Sequence, residues 1–224
     1  MDISFIPHWF FGLDVIFELA FAIITFLVAM YAFRVSKISG QNQPRLFGWA
    51  FIFFSISYLI QSFFNFAVIS KVGESICNSI KVQSVSALNA LGMYFYMIFF
   101  MIGLVTLTYM TLKIRSPKTY LMVLAISLLS IIISLNKIYL FYFLSSLMLI
   151  FIVSHYVGNF YNNRKGKTLL VLTAFIFLLF GHIHFLISVN HELFYVIGHF
   201  FGLIAYFLIL INLILVFKNG KKTK

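Results

Sequence analysis

Seven long apolar segments follow one another along the chain, and this pattern constrains the fold more than any other feature. Only 9% of the 224 residues are charged, whereas a soluble domain carries about 25%. Each segment approaches the roughly 20 residues that a helix needs to cross a bilayer. The sequence therefore predicts an all-α, seven-transmembrane helix bundle that forms one multi-pass membrane domain over residues 1–224, with spans at about 11–33, 47–70, 87–112, 119–135, 138–160, 168–189 and 193–217.

The basic residues predict how this bundle is oriented. With the N-terminus outside, thirteen of the 16 Lys and Arg residues fall on the inner side, namely Arg34, Lys37, Arg45, Lys113, Arg115, Lys118, Arg164, Lys165, Lys167, Lys218, Lys221, Lys222 and Lys224. Only Lys71, Lys81 and Lys137 fall outside. Because cytoplasmic loops are enriched in Lys and Arg, we expect the N-terminus outside the cell membrane and the C-terminus in the cytoplasm.

The same distribution limits the classes of partner. The basic residues lie in short loops that suit contact with anionic lipids, and they form no patch typical of nucleic-acid binding, despite the net charge of +11. Cys77 is the only cysteine, which excludes an internal disulfide and a cysteine-rich metal site. The first residues carry no basic region or cleavage motif, so we expect no removable signal peptide. The oligomeric state is left open.

The titratable side chains gather in the outer half of the predicted bundle. The acidic residues and five of the six histidines lie there or outside it: Asp2, Asp14, Glu18, Glu74, Glu192, His8, His182, His184, His191 and His199. Only His155 lies near the inner end. Ionisable groups inside a membrane are costly and indicate function by default. The sequence predicts a polar chamber in the outer leaflet above a dry floor of Phe, Leu and Ile.

Helix geometry places some of these groups at one level. Asp14 and Glu18 are four residues apart, share a helix face and lie roughly 5–10 Å deep. His182 and His199 are equidistant from the turn between spans six and seven, so both are expected about 12 Å deep. His184 points about 200° away from His182 around the helix. Depth favours His182 as the inward residue.

Polar neighbours complicate that choice and extend the chamber. His184 shares a stripe with Thr173 and Ser188, which favours His184 as the inward residue, so both alternatives remain open. Span two presents one polar face at i, i+3, i+4 and i+7, and span three adds one amide near its outer end. These side chains are Tyr58, Gln61, Ser62, Asn65 and Asn89.

Histidine with carboxylate is a ligand set that suits zinc or iron. We expect a metal centre held by His199, by His182 or His184, and by Glu18 or Asp14, where the carboxylate is a ligand or a catalytic proton acceptor. Gln61, Asn65 and Asn89 would orient the ligands. A metal-bound water would make the protein a membrane hydrolase of a lipid or amide. No HExxH or HxxxH motif is present.

Three alternatives use the same residues. Haem b would make the protein a membrane cytochrome for electron transfer, with His199 and His182 or His184 as axial ligands and room beside Gly198 and Gly202. Those glycines also form a small-xxx-small pattern typical of helix packing. A non-catalytic receptor, sensor or small-molecule carrier would bind a ligand in the chamber and respond to outer pH through histidine. A purely structural polar layer is the remaining alternative.

Seven spans with an external N-terminus resemble the rhodopsins and G-protein-coupled receptors. Residues 193–217 contain no lysine, which excludes a retinal Schiff base, and Thr111-Leu112-Lys113-Ile114-Arg115 lacks the receptor Asp-Arg-Tyr triad. The topology is also similar to alkaline ceramidases and progestin-receptor-like hydrolases, but Leu203 stands where their HxxxH motif would place a second histidine after His199. The segment LFGWAFIFFSISYLIQSFFNF is similar to small archaeal membrane proteins.

Overall fold

Seven α-helices and no strands form the part of the chain described by the structure, a computed structural model. It describes residues 7, 9–10, 12–74, 79–113, 116–162, 166–189 and 191–222, with side chains throughout except at 71–74, 79–86, 166–167 and 219–222. The helices are α1 (Leu13–Ser39), α2 (Asn42–Glu74), α3 (Ser79–Thr111), α4 (Pro117–Ile133), α5 (Lys137–Asn162), α6 (Gly166–Ser188) and α7 (Leu193–Lys222). The predicted all-α, seven-helix fold is confirmed.

Six of these helices are long and apolar enough to cross a membrane, whereas α4 has 17 residues. We call the end of the bundle that holds Asp14, Glu18 and Glu192 the acidic end, and the opposite end, with Lys113 and Lys118, the basic end. Several helices run past the predicted spans, since the apolar segment marks the hydrocarbon layer and the helix continues into the polar interface. α2, for example, begins at Asn42.

The contacts between α3 and α5 show that α4 must run from one end of the bundle to the other. Tyr96 of α3 packs on Phe141 near the start of α5, with ring centroids 5.6 Å apart, and the ends of the two helices, with Thr111 and Asn162, line the same cleft. Both helices therefore advance in the same direction. The segment between them has to return from the basic end to the acidic end, and 17 helical residues cover about 25 Å.

The six long helices close into a ring in the order α1, α2, α3, α5, α6, α7 and back to α1. α4 packs on α3 and α5 outside this ring, and most of its apolar side chains are exposed, as expected of a lipid-facing helix. Aromatic and aliphatic side chains fill the ring, including Phe51, Phe54, Phe100, Leu104 and Tyr206. A side chain that points to the axis of the ring is therefore shielded by all six long helices.

Candidate functional site

Asp14 stands in the first turn of α1, two residues after Gly12, which has a positive φ of 105°. Its Oδ1 accepts hydrogen bonds from the backbone N–H groups of Gly12 (2.9 Å) and Val15 (2.8 Å). The side chain is only 1% exposed, and Oδ2 has no hydrogen-bond partner among the described residues. The carboxylate thus stabilises the helix start with one oxygen and leaves the other unused.

Glu18 lies one turn further along α1 and is 4% exposed. Asn65 of α2 donates from Nδ2 to both carboxylate oxygens, at 3.0 and 3.1 Å, and Gln61 Nε2 donates to Asn65 Oδ1 at 3.4 Å. Within the described side chains, Glu18 interacts with Asp14 and Asn65 but with no Lys or Arg. Two buried acids therefore stand one turn apart with no basic partner among the described side chains.

A cavity of about 40 Å³ opens beside Glu18 on the axis of the ring. All six ring helices contribute to its lining, which consists of Glu18, Phe21, Tyr58, Gln61, Tyr96, Tyr142, Phe185, Tyr195 and His199. A water molecule needs about 10–15 Å³ of such space, so the cavity accommodates roughly three waters or one small ligand. We call it the Glu18 cavity.

Two lining residues bring polar atoms that are free to bind a ligand. Gln61 Oε1 is buried and has no partner among the described residues, although its amide nitrogen is engaged by Asn65. His199 is 4% exposed, and its Nδ1 donates to the Tyr195 carbonyl oxygen at 2.9 Å. Because that carbonyl can only accept, Nε2 is the imidazole nitrogen left for a ligand.

The floor of the cavity is closed toward the basic end. The hydroxyl groups of Tyr58 and Tyr206 are hydrogen-bonded to each other at 2.8 Å. Phe51 packs edge-on against Tyr206 and, together with Phe54, continues into the apolar core. Toward the basic end, the described part of the ring below this tyrosine pair is filled mainly by aromatic and aliphatic side chains, with single buried polar residues such as Ser146 and Asn212 among them.

The structure decides between His182 and His184. His182 is 3% exposed, packs on Phe100 and Tyr142, and its Nδ1 has no partner among the described residues. His184 is half-buried, and its Nδ1 donates to the Phe180 carbonyl oxygen at 2.7 Å. His182 is therefore the inward residue, and the stripe that favoured His184 was misleading.

His182 and His199 share one aromatic neighbour but have different surroundings. The Phe185 ring contacts both imidazoles, with centroids 6.1 Å from His182 and 5.0 Å from His199. His182 packs against Tyr142 and Phe185, which stand between it and the cavity, whereas His199 lines the cavity. Within the described ranges, no three His, Cys, Asp or Glu side chains gather in a way that could hold a metal ion. The metal centre stays a prediction.

The glycines proposed to make room for a haem take part in helix packing. Gly181 of α6 lies so close to α7 that an added Cβ would be 3.2 Å from the Gly198 carbonyl oxygen. A Cβ on Gly198 would meet the Phe185 ring at 2.7 Å, and one on Gly202 would meet Phe21 at 3.4 Å. Side chains and backbone thus occupy the space beside His199, and haem binding also stays a prediction.

The structure brings together some of the predicted site residues and adds others. Glu18, Gln61 and His199 line the cavity, and Asn65 holds the carboxylate. Asn89 is half-buried on α3 and does not line the cavity.

Three lining tyrosines were not expected, namely Tyr96, Tyr142 and Tyr195. Tyr195 precedes His199 by one helical turn, so this spacing could have indicated that Tyr195 shares the face of His199. His191 is exposed, and His8 lies outside the described residues.

Comparisons with known proteins found no matching family model, curated protein or solved structure.

Proposed function

We propose that the chain is a membrane-embedded receptor or carrier that binds a small ammonium-type cation at Glu18. The observation that supports it is a buried carboxylate, without a basic partner among the described side chains, that lines an aromatic cavity. An ionised carboxylate in an apolar environment is strongly disfavoured unless a counter-charge accompanies it. A cation in the cavity supplies that charge.

The lining suits an ammonium group in particular. A primary ammonium has three N–H donors, and the cavity offers three acceptors, namely the Glu18 carboxylate, Gln61 Oε1 and His199 Nε2. The surrounding four tyrosine and two phenylalanine rings add cation–π attraction, about 2 kcal/mol for a well-placed desolvated ring. The cavity volume of about 40 Å³ favours ammonium or methylammonium over bulky quaternary ions.

The expected orientation gives this binding a direction. With the N-terminus outside, the Glu18 cavity lies in the outer leaflet of the cell membrane, so the cation enters from the external side. In this orientation, the tyrosine pair and the mainly apolar packing beneath it would separate the cavity from the cytoplasm. A receptor needs no further passage, whereas a carrier needs the Tyr58–Tyr206 pair to open.

Single cysteines test the orientation in a Cys77→Ser background. Glu192→Cys is exposed at the acidic end, and Ser116→Cys is exposed at the basic end. A membrane-impermeant maleimide added to intact cells is expected to label Glu192→Cys, and to label Ser116→Cys only after permeabilisation. The reverse pattern would place the cavity on the cytoplasmic side.

Thermal unfolding of the purified full-length chain tests the binding function. A ligand at one hundred times its dissociation constant stabilises the folded state by about 2.7 kcal/mol, which corresponds to a rise in Tm of roughly 5–10 °C for a chain of this size. We expect methylammonium chloride to produce this rise and sodium or tetramethylammonium chloride at equal ionic strength to produce much less. An equal rise with all three salts would contradict the proposal.

The metal-dependent hydrolase is the alternative that the same preparation would reveal. If zinc or iron co-purifies with the chain at about one equivalent and methylammonium has no effect on Tm, the metal centre replaces the cation site. His199→Ala should then remove the metal.

A further inference from the structure

A second polar site opens at the basic end of the bundle, at the opposite end from the Glu18 cavity. It is a cleft of about 480 Å³ between the start of α2 and the ends of α3 and α5, large enough for a phosphorylated headgroup. Its lining consists of Gln43, Met110, Thr111, Lys113, Ser154, His155, Tyr156, Gly158, Asn159 and Asn162. We call it the basic cleft.

One face of α5 supplies half of this lining. Ser154, His155, Gly158, Asn159 and Asn162 follow each other at i, i+1, i+4, i+5 and i+8, the spacing of a single helical stripe. The stripe offers a hydroxyl, an imidazole and two amides, all able to donate hydrogen bonds. Hydrogen-bond donors that converge on a cleft are what an oxyanion requires.

The charged residues around the cleft also favour an anionic ligand. Lys113 lines it, and Arg45 and Lys118 are exposed in the first turns of α2 and α4 at the same end of the bundle. No Asp or Glu occurs between positions 75 and 191 of the sequence, which includes the α3 and α5 segments that form the cleft. A cation would therefore find no carboxylate ligand in this lining.

The partial charges of the helix ends reduce the positive charge at the cleft but do not reverse its sign. α3 and α5 end at the cleft, and the carbonyl end of a helix carries a partial charge of about −0.5. α2 begins there, with a partial charge of about +0.5 at its amide end. The two contributions leave about −0.5, which is smaller than the full positive charge of Lys113, and Arg45 and Lys118 add positive charge at the same end of the bundle.

Lys113 also has an unusual backbone conformation. It follows the last turn of α3 with φ 54°, in the left-handed region where helix ends ordinarily place glycine. In this turn, the backbone N–H of Lys113 donates a hydrogen bond to the Met110 carbonyl oxygen (3.2 Å). Unfavourable backbone conformations concentrate at ligand sites, because function keeps a side chain that local preference would replace.

We propose that the basic cleft binds a phosphate group, with Lys113 as the ionic partner and Asn159, Asn162 and Gln43 as hydrogen-bond donors. The phosphate oxygens can accept hydrogen bonds from the ammonium group of Lys113 and from the amide NH2 groups of the other three side chains. The headgroup of a phospholipid and free phosphate share this chemistry. The proposal is independent of the Glu18 cavity.

Binding to the detergent-purified full-length chain separates the two sources. The probes are inorganic phosphate, short-chain phosphatidic acid and, as a zwitterionic comparison, short-chain phosphatidylcholine, all at equal ionic strength. We expect phosphatidic acid to bind, and Lys113→Gln or Asn159→Leu to weaken its affinity about tenfold, the equivalent of one charge-assisted hydrogen bond. Lys218→Gln changes an exposed lysine that does not line the cleft, and it should leave the affinity unchanged.

Each outcome has one meaning. If phosphatidic acid binds and inorganic phosphate does not, the cleft is a site for a lipid headgroup. If both bind, it is a site for the phosphate group itself. If only inorganic phosphate binds, it is a site for a soluble anion. Absence of binding by both would overturn the proposal. So would an equal loss of affinity in Lys113→Gln and Lys218→Gln, because it would reduce the effect to the general positive charge of this end.

Discussion

Glu18→Gln is expected to leave the chain folded and to abolish its response to methylammonium. The substitution keeps the size of the side chain and removes the negative charge that the cation needs. Loss of a buried charge pair with its hydrogen bond is worth about 3 kcal/mol, so binding should weaken by at least about 100-fold. The Tm of the variant without ligand should change little, because the amide oxygen of the new side chain can still accept from Asn65 and no described basic residue loses a partner.

Glu192→Gln is the matched control for this variant. Glu192 is an exposed acid at the same end of the bundle and does not line the Glu18 cavity. It should retain the full rise in Tm with methylammonium. If Glu18→Gln kept the response, or if both variants lost it equally, the cation would bind elsewhere.

Gly103→Ala is expected to cause the largest loss of stability from a single added methyl group. Gly103 lies where α3 crosses α2, and an added Cβ would come within 2.8 Å of the Ala50 carbonyl oxygen and 2.9 Å of the Phe54 ring. A backbone atom cannot rotate away, so the two helices have to separate. Over-packing of this kind typically costs 1–3 kcal/mol, and we expect about 3 kcal/mol and a fall in Tm of roughly 6–12 °C.

Gly158→Ala provides the comparison for that substitution. Gly158 is also inside a helix, but nothing lies within 4 Å of its Cβ position. Alanine favours a helix over glycine by about 1 kcal/mol, so this variant should be slightly more stable than the natural chain. If the two variants had the same Tm, the close approach of α2 and α3 at Gly103 would be refuted.

The number and type of helices could be predicted because each depends on a local property of the sequence. Apolar length sets whether a segment spans the membrane, and Pro117 at the first position of α4 marks a helix start. The helix ends were less predictable, since α2 and α7 continue into polar residues such as Asn42 and Lys222. Hydrophobicity reports the hydrocarbon layer, not where backbone hydrogen bonding stops.

The polar layer was predictable only in part. The helical face that holds Gln61 and Asn65 follows from spacing, and so does the shared face of Asp14 and Glu18. His182 and His199 are both buried in the ring, but their equal distance from the turn says nothing about which side chain stands between them. Phe185, three residues after His182 on the same helix, contacts both rings.

The tyrosine wall could not be predicted because its members come from different helices. Tyr58 of α2 belongs to the predicted polar face, whereas Tyr96, Tyr142 and Tyr195 belong to α3, α5 and α7, and each of these three alone resembles an interfacial anchor. Their convergence depends on the order in which the helices close the ring. No local pattern in the sequence encodes that order.

Contact between a bound cation and the Glu18 carboxylate can be measured directly by solid-state NMR. The chain contains three glutamates, Glu18, Glu74 and Glu192. With these labelled by ¹³C at the carboxyl carbon and methylammonium labelled by ¹⁵N, we expect a single nitrogen-to-carboxyl correlation that disappears in Glu18→Gln and persists in Glu192→Gln. A correlation that survives Glu18→Gln, or its absence while methylammonium is bound, would contradict a cation site at Glu18.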